Sequence, residues 1–324
     1  PGPGKNLMFI HLNTHSVYSA MRGLLSLPDL MNLARSYAMD TLALTDVNGM
    51  WGFIRFVQHC KDTRILPISG TNLITEKDEV ILLAENQYGY ENMCRAVSAV
   101  HDDLEQSVVD ILKKRCSGLF VLSHHKPTLN KLIEFIPDTH LFVELRPGIQ
   151  ESFVHQLAQT LKLEVVATGD IYFRSQSDHN VHVTLRAIEN NTTLEQLDIT
   201  EYKSDQHWFR SEAEMVKLFP NSLDALNNSR YLADRCKTNW SFINTIFPGL
   251  SLKDTYHSNR KLRDKVYAGA QMRYDEIDET THCRIEYELD IITQKGFAPY
   301  FLIVQDIVNK TRATIGRGSA AASI

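Results

Sequence analysis

The sequence predicts an α/β fold with a parallel sheet, followed by a mostly helical segment. In the first two thirds, short apolar strands alternate with amphipathic helices, which is the pattern of repeated strand–helix units. Polar and titratable residues follow several of these strands, and folds of this kind build their sites at the carboxyl ends of the strands. This second observation favours a barrel over a doubly wound open sheet. The last third instead shows helical periodicity and many charges.

The composition is that of an ordinary globular protein. The 324 residues are 43% hydrophobic and 23% charged, and the net charge is −5, so contact with nucleic acid would need a local basic patch. Five scattered cysteines without CxxC spacing indicate free thiols in a reducing cytoplasm. No apolar run approaches the ~20 residues of a membrane-spanning helix, so we expect a cytoplasmic protein that does not contact membranes.

The predicted strands are short and apolar, as the buried strands of a parallel sheet are. They cover residues 8–12, 41–46, 65–68, 80–84, 118–123, 141–145 and 164–168. A helix is predicted to begin at Ser26, because Asp29 stands three residues on in a capping-box-like arrangement. Other helices are predicted around 54–57, over 91–100 and over 150–163. In the last of these, Phe153, Leu157 and Leu161 have the spacing of an apolar stripe.

The last third is predicted to be helical except for one stretch. Ser211 and Glu214 have the spacing of a capping box, which marks the beginning of a helix. Residues 239–255 lack helical periodicity and contain Pro248-Gly249, so a linker or an extended arm is expected there. Further helices are predicted over 222–235, over 260–295 as a charged pair that ends before Gly296, and over 301–312.

Histidines stand at two of three alternate positions near the N-terminus, at His11 and His15 with Asn13 between them. Side chains two apart on a strand share a face, so all three are expected to line one side together. Imidazoles grouped at a strand end bind divalent metals, but an amide is a poor ligand for zinc. The pattern therefore predicts a metal site that has lost a ligand. His179 and His182, three residues apart, are expected on a solvated helical face.

The chain ends in a glycine-rich stretch that can bind phosphate. Gly316 and Gly318 flank Arg317, and Ser319 and small residues follow. Backbone N–H groups of such a loop can surround a phosphate, and an arginine can bind it through two hydrogen bonds. The stretch is therefore a candidate for phosphate binding, but its pattern alone favours a glycine turn with a solvated arginine.

Four stretches together resemble the N-terminal part of bacterial DNA polymerase III alpha subunits, which are C-family replicative polymerases. They are residues 11–16, 43–49, 165–172 and 299–319. The resemblance implies a PHP (polymerase and histidinol phosphatase) domain over residues 1–205, with the fold of a distorted (β/α)7 barrel. It implies that residues 206–324 form a helical connector and the beginning of an incomplete polymerase palm domain.

The resemblance also implies a three-metal site, from which this sequence departs at four positions. Other residues replace metal ligands of the family at Asn13, Val47, Asn72 and Tyr172. The titratable residues that remain are His11, His15, Asp46, His124 or His125, Glu144 and Asp170. Metal-dependent hydrolysis needs bridged cations, so we expect these residues to hydrogen-bond one another instead. A single divalent ion such as Zn²⁺, held by His15, Asp46 and Asp170, is the alternative.

The resemblance further implies a DNA-directed DNA polymerase as the complete protein. Arg317, Gly318 and Ser319 would lie beside the triphosphate of the incoming nucleotide, and aspartates beyond Ile324 would hold Mg²⁺. The implied partners are primer–template DNA, dNTPs, a sliding clamp and a proofreading exonuclease. Residues 1–324 alone are expected not to polymerise DNA. Two other roles stay open for the PHP part: a free-standing metal-dependent phosphoesterase, and a noncatalytic scaffold that stabilises the polymerase or docks the exonuclease.

Overall fold

The computed structural model describes residues 9–103, 105–240 and 252–316. The chain divides into two compact units, Pro1–Trp240 and Ser241–Ile324. In the described ranges, no helix combines the length and the apolar character that crossing a membrane requires.

The first unit is built on a curled six-stranded sheet, a half-barrel with the strands in sequence order. Its strands are β1 (Thr41–Leu44), β2 (Leu66–Ile74), β3 (Glu79–Ala84), β4 (Leu119–Ser123), β5 (Leu141–Leu145) and β6 (Glu164–Ala167). The expectation of an all-parallel sheet is wrong, because β3 runs antiparallel to both β2 and β4. The physical reason is the connection between β2 and β3. It is a tight turn closed by the Thr75 N–H and the Asp78 carbonyl, too short for a crossover helix.

Residues 9–16 run along the open edge of β1. The first strand was predicted over residues 8–12, but the described residues of that range, 9–12, do not form a strand. The Ala43 N–H donates to the His11 carbonyl at 3.1 Å, and the Ile171 N–H donates to the Asn13 carbonyl, also at 3.1 Å. Only isolated bridges form, such as Thr14 with Ile171. The segment therefore touches both β1 and the chain that follows β6, without a regular ladder on either side.

Over residues 9–103 and 105–240 of the first unit, nine α-helices pack around the sheet. They are α1 (Leu27–Ser36), α2 (Phe53–Thr63), α3 (Gln87–Asp102), α4 (Val108–Leu112), α5 (Lys126–Leu132), α6 (Glu151–Leu161), α7 (His179–Glu189), α8 (Glu212–Leu218) and α9 (Leu223–Arg235). The predicted cap of α1 is confirmed, because the Ser26 hydroxyl accepts a hydrogen bond from the Asp29 N–H. The predicted capping box of α8 is also confirmed. On α6 the buried face is Val154, Leu157 and Ala158, and Phe153 is 50% exposed.

Each face of the sheet contributes to a separate hydrophobic core. Successive side chains of a strand point to opposite faces, so they belong to the two cores in turn. On β3, Ile81 and Leu83 belong to the interior cluster, whereas Val80 and Leu82 belong to the cluster beneath the outer helices. The interior cluster fills one end of the half-barrel, where Leu232 of α9 also packs. Polar side chains occupy the interior at the other end, which positions the candidate site.

Helices α8 and α9 belong to the first unit. The Glu212 carboxylate accepts the Phe9 N–H at 2.8 Å, and the Ser229 hydroxyl accepts the Ile10 N–H at 2.9 Å. Asn228 donates to the Val165 carbonyl at 2.7 Å. The expected domain boundary after residue 205 therefore falls inside the compact unit that ends at Trp240.

The second unit contains α10 (Leu252–Arg273), α11 (Glu279–Gln294) and α12 (Ala298–Asn309). Gly296 has φ +70°, a left-handed conformation that suits the glycine predicted to end the charged helical pair. The prediction of a linker or an extended arm over 239–255 is wrong for its last residues, because α10 begins at Leu252. Residues 241–251 of that stretch lie outside the described residues. The core of this unit is Leu262, Ala270, Ile285, Leu289 and Ala298.

Candidate functional site

The polar end of the half-barrel collects side chains from almost every strand. Glu79 lies two residues before Ile81 on β3 and Glu144 two residues after Phe142 on β5, so both continue the inward-facing alternation. Asp170 follows β6 and has a left-handed backbone, φ +42°, which Asp adopts more readily than most residues. Three acidic side chains therefore converge on one interior end of the sheet.

The Asn13 side chain lies between two of these carboxylates. Its amide nitrogen donates to Glu144 Oε1 at 3.2 Å and to Asp170 Oδ1 at 3.1 Å. Its amide oxygen accepts from the Thr45 hydroxyl at 2.9 Å. Asn13 is fully buried, and so are both carboxylates. The amide thus places N–H donors between two acids.

Two cationic side chains complete the cluster. Lys203 Nζ lies 3.0 Å from Asp170 Oδ2, and Arg146 Nη1 lies 3.5 Å from the same oxygen. Arg146 Nη1 is also 3.5 Å from Glu79 Oε1 and 4.0 Å from Glu144 Oε2. Arg146 comes directly after β5, whereas Lys203 comes from an irregular segment that follows α7. Each carboxylate therefore lies within ion-pair distance of a cation.

The charges of the cluster keep Asp170 and Glu79 ionised. Burial by itself raises the pKa of Asp170, but Lys203, Arg146 and His207 together hold this pKa well below the usual value. Burial likewise raises the pKa of Glu79, and Lys203 and Arg146 bring it down to about 2. Ionised, hydrogen-bonded carboxylates of low pKa are poor general bases at neutral pH.

His15 lies at the edge of this cluster in its neutral form. Its Nδ1–H donates to the Ile171 carbonyl at 3.0 Å, and its ring stacks on Tyr172 with centroids 4.0 Å apart. Burial lowers the pKa of His15 to about 4, although the Asp170 charge opposes this change. Its other nitrogen, Nε2, is 3.5 Å from the Asn72 amide nitrogen. His15 is near the acids, but its ring nitrogens face a carbonyl and an amide.

Asp46, which sequence analysis grouped with His15 and Asp170, has other partners. Its Oδ1 accepts from the Ser16 N–H at 2.7 Å and from the Ser19 hydroxyl at 2.6 Å. Asp46 thus stabilises the turn that follows the N-terminal segment. Burial raises its pKa, against these hydrogen bonds.

His11 does not lie on the side expected from strand alternation. Its Nε2–H donates to the Arg210 carbonyl at 2.7 Å, and its ring contacts Phe9 and Phe209. The reason is that residues 9–13 do not form a regular strand, so Asn13 and His15 reach the acids and His11 packs elsewhere. Within the described ranges, its Nδ1 has no hydrogen-bond partner.

Of the two adjacent histidines after β4, the first one joins the cluster. His124 Nε2 accepts from Arg146 Nη2 at 3.0 Å, and His124 Nδ1 lies 3.6 Å from Glu144 Oε2. His125 instead pairs with the Thr128 hydroxyl at 2.8 Å, where α5 begins.

A cavity of about 430 Å³ adjoins the cluster. Its lining includes Arg22, Arg146, Tyr172, His182, Arg186 and Lys203. His182 is buried here, so the expectation that it lies on a solvated face is wrong. Helix α7 packs this side against the barrel end, where His182 Nδ1–H donates to the Arg22 carbonyl at 2.8 Å.

The side chains at this site do not fit the metal centre that the family resemblance implies. Across residues 9–103, 105–240 and 252–316, no three or more His, Cys, Asp and Glu side chains are grouped to hold a metal ion. Metal ligands must offer free lone pairs, but here N–H donors of Asn13, Lys203 and Arg146 point at the carboxylates. A cation between these acids would meet positive charge and N–H groups.

Three charged residues of the cluster were not predicted from the sequence: Glu79, Arg146 and Lys203. Arg146 follows a predicted strand, so the same rule that found Glu144 could have found it. Glu79 stands at the first position of an antiparallel strand, which a search of carboxyl ends skips. Lys203 lies in a segment without periodicity, and no sequence signal points to it. The phosphate-binding candidates Arg317, Gly318 and Ser319 lie outside the described residues and stay a prediction.

Known protein families match this chain in each of its two units. The PHP domain family matches residues 11–177, and the family described as the bacterial DNA polymerase III alpha NTPase domain matches residues 260–324. A solved two-domain protein from Bacteroides vulgatus, described as containing a predicted PHP-like metal-dependent phosphoesterase, matches 57% of this chain and 56% of its own. Its TM-score is 0.38 at 14% identity, which is too low to carry an argument.

Relatives match nearly the whole chain. The error-prone DNA polymerase of Symbiobacterium thermophilum is 30% identical over 365 residues, covering 98% of this chain and 34% of that protein. DNA polymerase III subunit alpha of Vibrio cholerae is 30% identical over 371 residues, covering 98% of this chain and 31% of that protein. The chain thus spans about a third of the length of these relatives. It belongs to the PHP domain family and corresponds to the N-terminal part of bacterial DNA polymerase III alpha subunits, a PHP domain followed by the start of the NTPase domain.

Proposed function

We propose that this chain is the N-terminal region of a bacterial DNA polymerase that, as a complete protein, carries out DNA-templated DNA synthesis in the cytoplasm. The observation that carries the proposal is the match to polymerases across 98% of the chain, including the helical unit as well as the PHP domain. A phosphoesterase made of a PHP domain alone would have no use for that helical unit.

The phosphate-binding role of the glycine-rich stretch is part of this proposal. In the complete polymerase, Arg317, Gly318 and Ser319 would bind the triphosphate of the incoming dNTP. The Mg²⁺ ligands that activate the primer 3′-hydroxyl would lie beyond Ile324, so residues 1–324 alone would not polymerise DNA. Primer–template DNA, a sliding clamp and a proofreading exonuclease are the proposed partners.

For the PHP domain we propose a noncatalytic role, as a scaffold that stabilises the polymerase or docks the exonuclease. Residues 9–16 would complete the distorted (β/α)7 barrel by joining β1 to the end of β6. The cluster of Asn13, Arg146 and Lys203 around the acids supports this role. It leaves no free carboxylate pair to hold bridged cations and activate a water molecule.

Primer extension tests the polymerase assignment. The complete protein should extend a labelled primer with Mg²⁺ and dNTPs, and Arg317→Ala should reduce extension at least about tenfold through weaker phosphate binding. Purified residues 1–324 should add no nucleotide. Template-directed incorporation by residues 1–324, or full activity of the Arg317→Ala polymerase, would contradict the proposal.

A second assay tests the scaffold role. Residues 1–324 incubated with p-nitrophenyl phosphate or pyrophosphate and with Mn²⁺, Zn²⁺ or Mg²⁺ should release no phosphate above a no-protein control. Metal-dependent release that Asp170→Asn abolishes would favour the phosphoesterase alternative instead.

A further inference from the structure

We propose that Lys203, together with Arg146, supplies the positive charge that metal ions supply in a hydrolytic PHP site, so that this domain folds without a divalent metal. The inference deepens the scaffold role proposed above, because it states what holds the former site together. It concerns residues of this chain and does not depend on the polymerase assignment.

The positions of the two cations resemble those of bridging ions. Arg146 Nη1 lies 3.5 Å from Asp170, 3.5 Å from Glu79 and 4.0 Å from Glu144, so one guanidinium nitrogen is shared by three carboxylates. Lys203 Nζ approaches Asp170 Oδ2 from another side at 3.0 Å. A bridging metal ion likewise contacts several carboxylates at once, whereas an ordinary ion pair joins one cation to one carboxylate.

The charge balance leaves little need for an added ion. Lys203 and Arg146 face three carboxylates, and His207 Nδ1 also lies 3.2 Å from Asp170 Oδ2. Neutral donors from Asn13, Asn72 and Thr168 complete the hydrogen bonding of the acids. Asp170 and Glu144 are fully buried, so an unpaired charge there would be strongly unfavourable. A divalent ion would reverse the sign of the excess charge and displace these donors.

Lys203 is fixed in place by its backbone, unlike an ordinary surface lysine. Its N–H donates to His182 Nε2 at 3.1 Å, and its carbonyl accepts from His179 Nε2 at 2.9 Å. Two residues earlier, the Glu201 carbonyl accepts from Arg186 Nε at 2.6 Å. Helix α7 therefore fixes the backbone at Lys203 and just before it. Because this backbone is already held, the contact between the ammonium group and Asp170 costs little additional backbone entropy.

Thermal unfolding of residues 1–324 tests the inference with two substitutions. Lys203→Met keeps the length of the side chain and removes its charge, and we expect the melting temperature to fall by about 6 °C or more. The matched control is Lys113→Met, which breaks the exposed pair with Asp110 at 3.2 Å and should lower it by less than about 2 °C. The melting temperature of the Lys203→Arg variant should lie between those of Lys203→Met and Lys113→Met.

A double-mutant cycle and metal analysis complete the test. Lys203→Met combined with Asp170→Asn should lower the melting temperature by less than the sum of the single changes, because the two charges are removed together. The purified chain should contain substoichiometric metal, and EDTA or added Zn²⁺ or Mn²⁺ should leave its melting temperature unchanged.

Two results would overturn the inference. One is stoichiometric metal in the purified chain with a lower melting temperature after chelation. The other is a Lys203→Met variant as stable as Lys113→Met. If Lys203→Met does not fold, Lys203→Arg and the chelation result decide. Primer extension tests the polymerase assignment separately, so a failure here would leave that assignment standing.

Discussion

Asn13 donates a hydrogen bond of 3.1 Å to the Asp170 carboxylate, and a second one of 3.2 Å reaches Glu144. The orientation of this amide follows from its partners, because a flipped amide would turn its oxygen toward the oxygens of both acidic side chains. The Thr45 hydroxyl completes the arrangement by donating to the amide oxygen at 2.9 Å. An uncharged donor pair thus separates two carboxylates that would otherwise repel each other.

Asn13→Asp should destabilise the PHP domain by about 3 kcal/mol. The change keeps the shape of the side chain but replaces two N–H donors with a third buried carboxylate beside Glu144 and Asp170. Urea denaturation followed by circular dichroism measures this free energy of unfolding. Asn130→Asp, at an exposed position of α5, is the control and should change stability by less than about 0.5 kcal/mol. Equal stability of the two variants would show that Asn13 does not separate the acids.

His182 should make the domain less stable as the pH falls from 6.5 toward 4. Burial, and then the charges of Arg186, His179 and His207, lower its pKa to about 4, although its hydrogen bond to the Arg22 carbonyl raises it. The unfolded chain therefore binds a proton below pH 6.5 that the folded chain excludes. The contribution is fully present above pH 6.5 and is lost at about 1.4 kcal/mol per pH unit down to pH 4.

Substitution of His182 by Gln removes the group that binds this proton in the unfolded chain. The measurement is the free energy of unfolding at several pH values between 4 and 7, and the slope for His182→Gln should be smaller by about 1.4 kcal/mol per pH unit. Asn180→Gln, at an exposed position of α7, is the control and should keep the parent slope, because neither side chain titrates. Parallel slopes for the parent and His182→Gln would mean that His182 is protonated equally in both states.

The sequence places Leu157 and Phe153 on one apolar stripe of α6, but we expect their substitution by alanine to affect stability very differently. Leu157 is 4% exposed in the outer core, and Leu157→Ala should cost about 2–5 kcal/mol. Phe153 is 50% exposed, and Phe153→Ala should cost less than about 1 kcal/mol. Urea denaturation of both variants distinguishes the observed face from the predicted one. A larger loss for Phe153→Ala would mean that the helix is rotated.

Ser211→Ala should destabilise the first unit by about 1 kcal/mol. The Ser211 hydroxyl donates to Glu214 Oε2 at 2.7 Å, and the Ser211 N–H donates to the same oxygen at 2.8 Å. Ser98→Ala is the control, because Ser98 lies exposed within α3, where alanine favours the helix. Chemical denaturation should therefore show a loss for Ser211→Ala only. Similar stability of the two variants would mean that the cap contributes nothing.

The elements that sequence analysis placed well are those with strong local signals. The capped starts of α1 and α8 and the apolar strands β4 and β5 lie within a residue or two of the predicted positions. The direction of β3 was predicted wrongly, because apolar alternation is the same in parallel and antiparallel strands. For the same reason Glu79, at the start of β3, escaped a search that looked only at carboxyl ends of strands.

The residues at Asn13, Val47, Asn72 and Tyr172 were determined by the sequence itself, and the family resemblance predicts that they replace metal ligands. What took their place was decided only by the tertiary structure. Lys203 and Arg146 are 57 positions apart in the numbering, and each reaches Asp170 only because the sheet curls and α7 folds back over its end. Contacts between distant residues leave no periodic pattern in the chain, so the charges that neutralise these acids become visible only after folding.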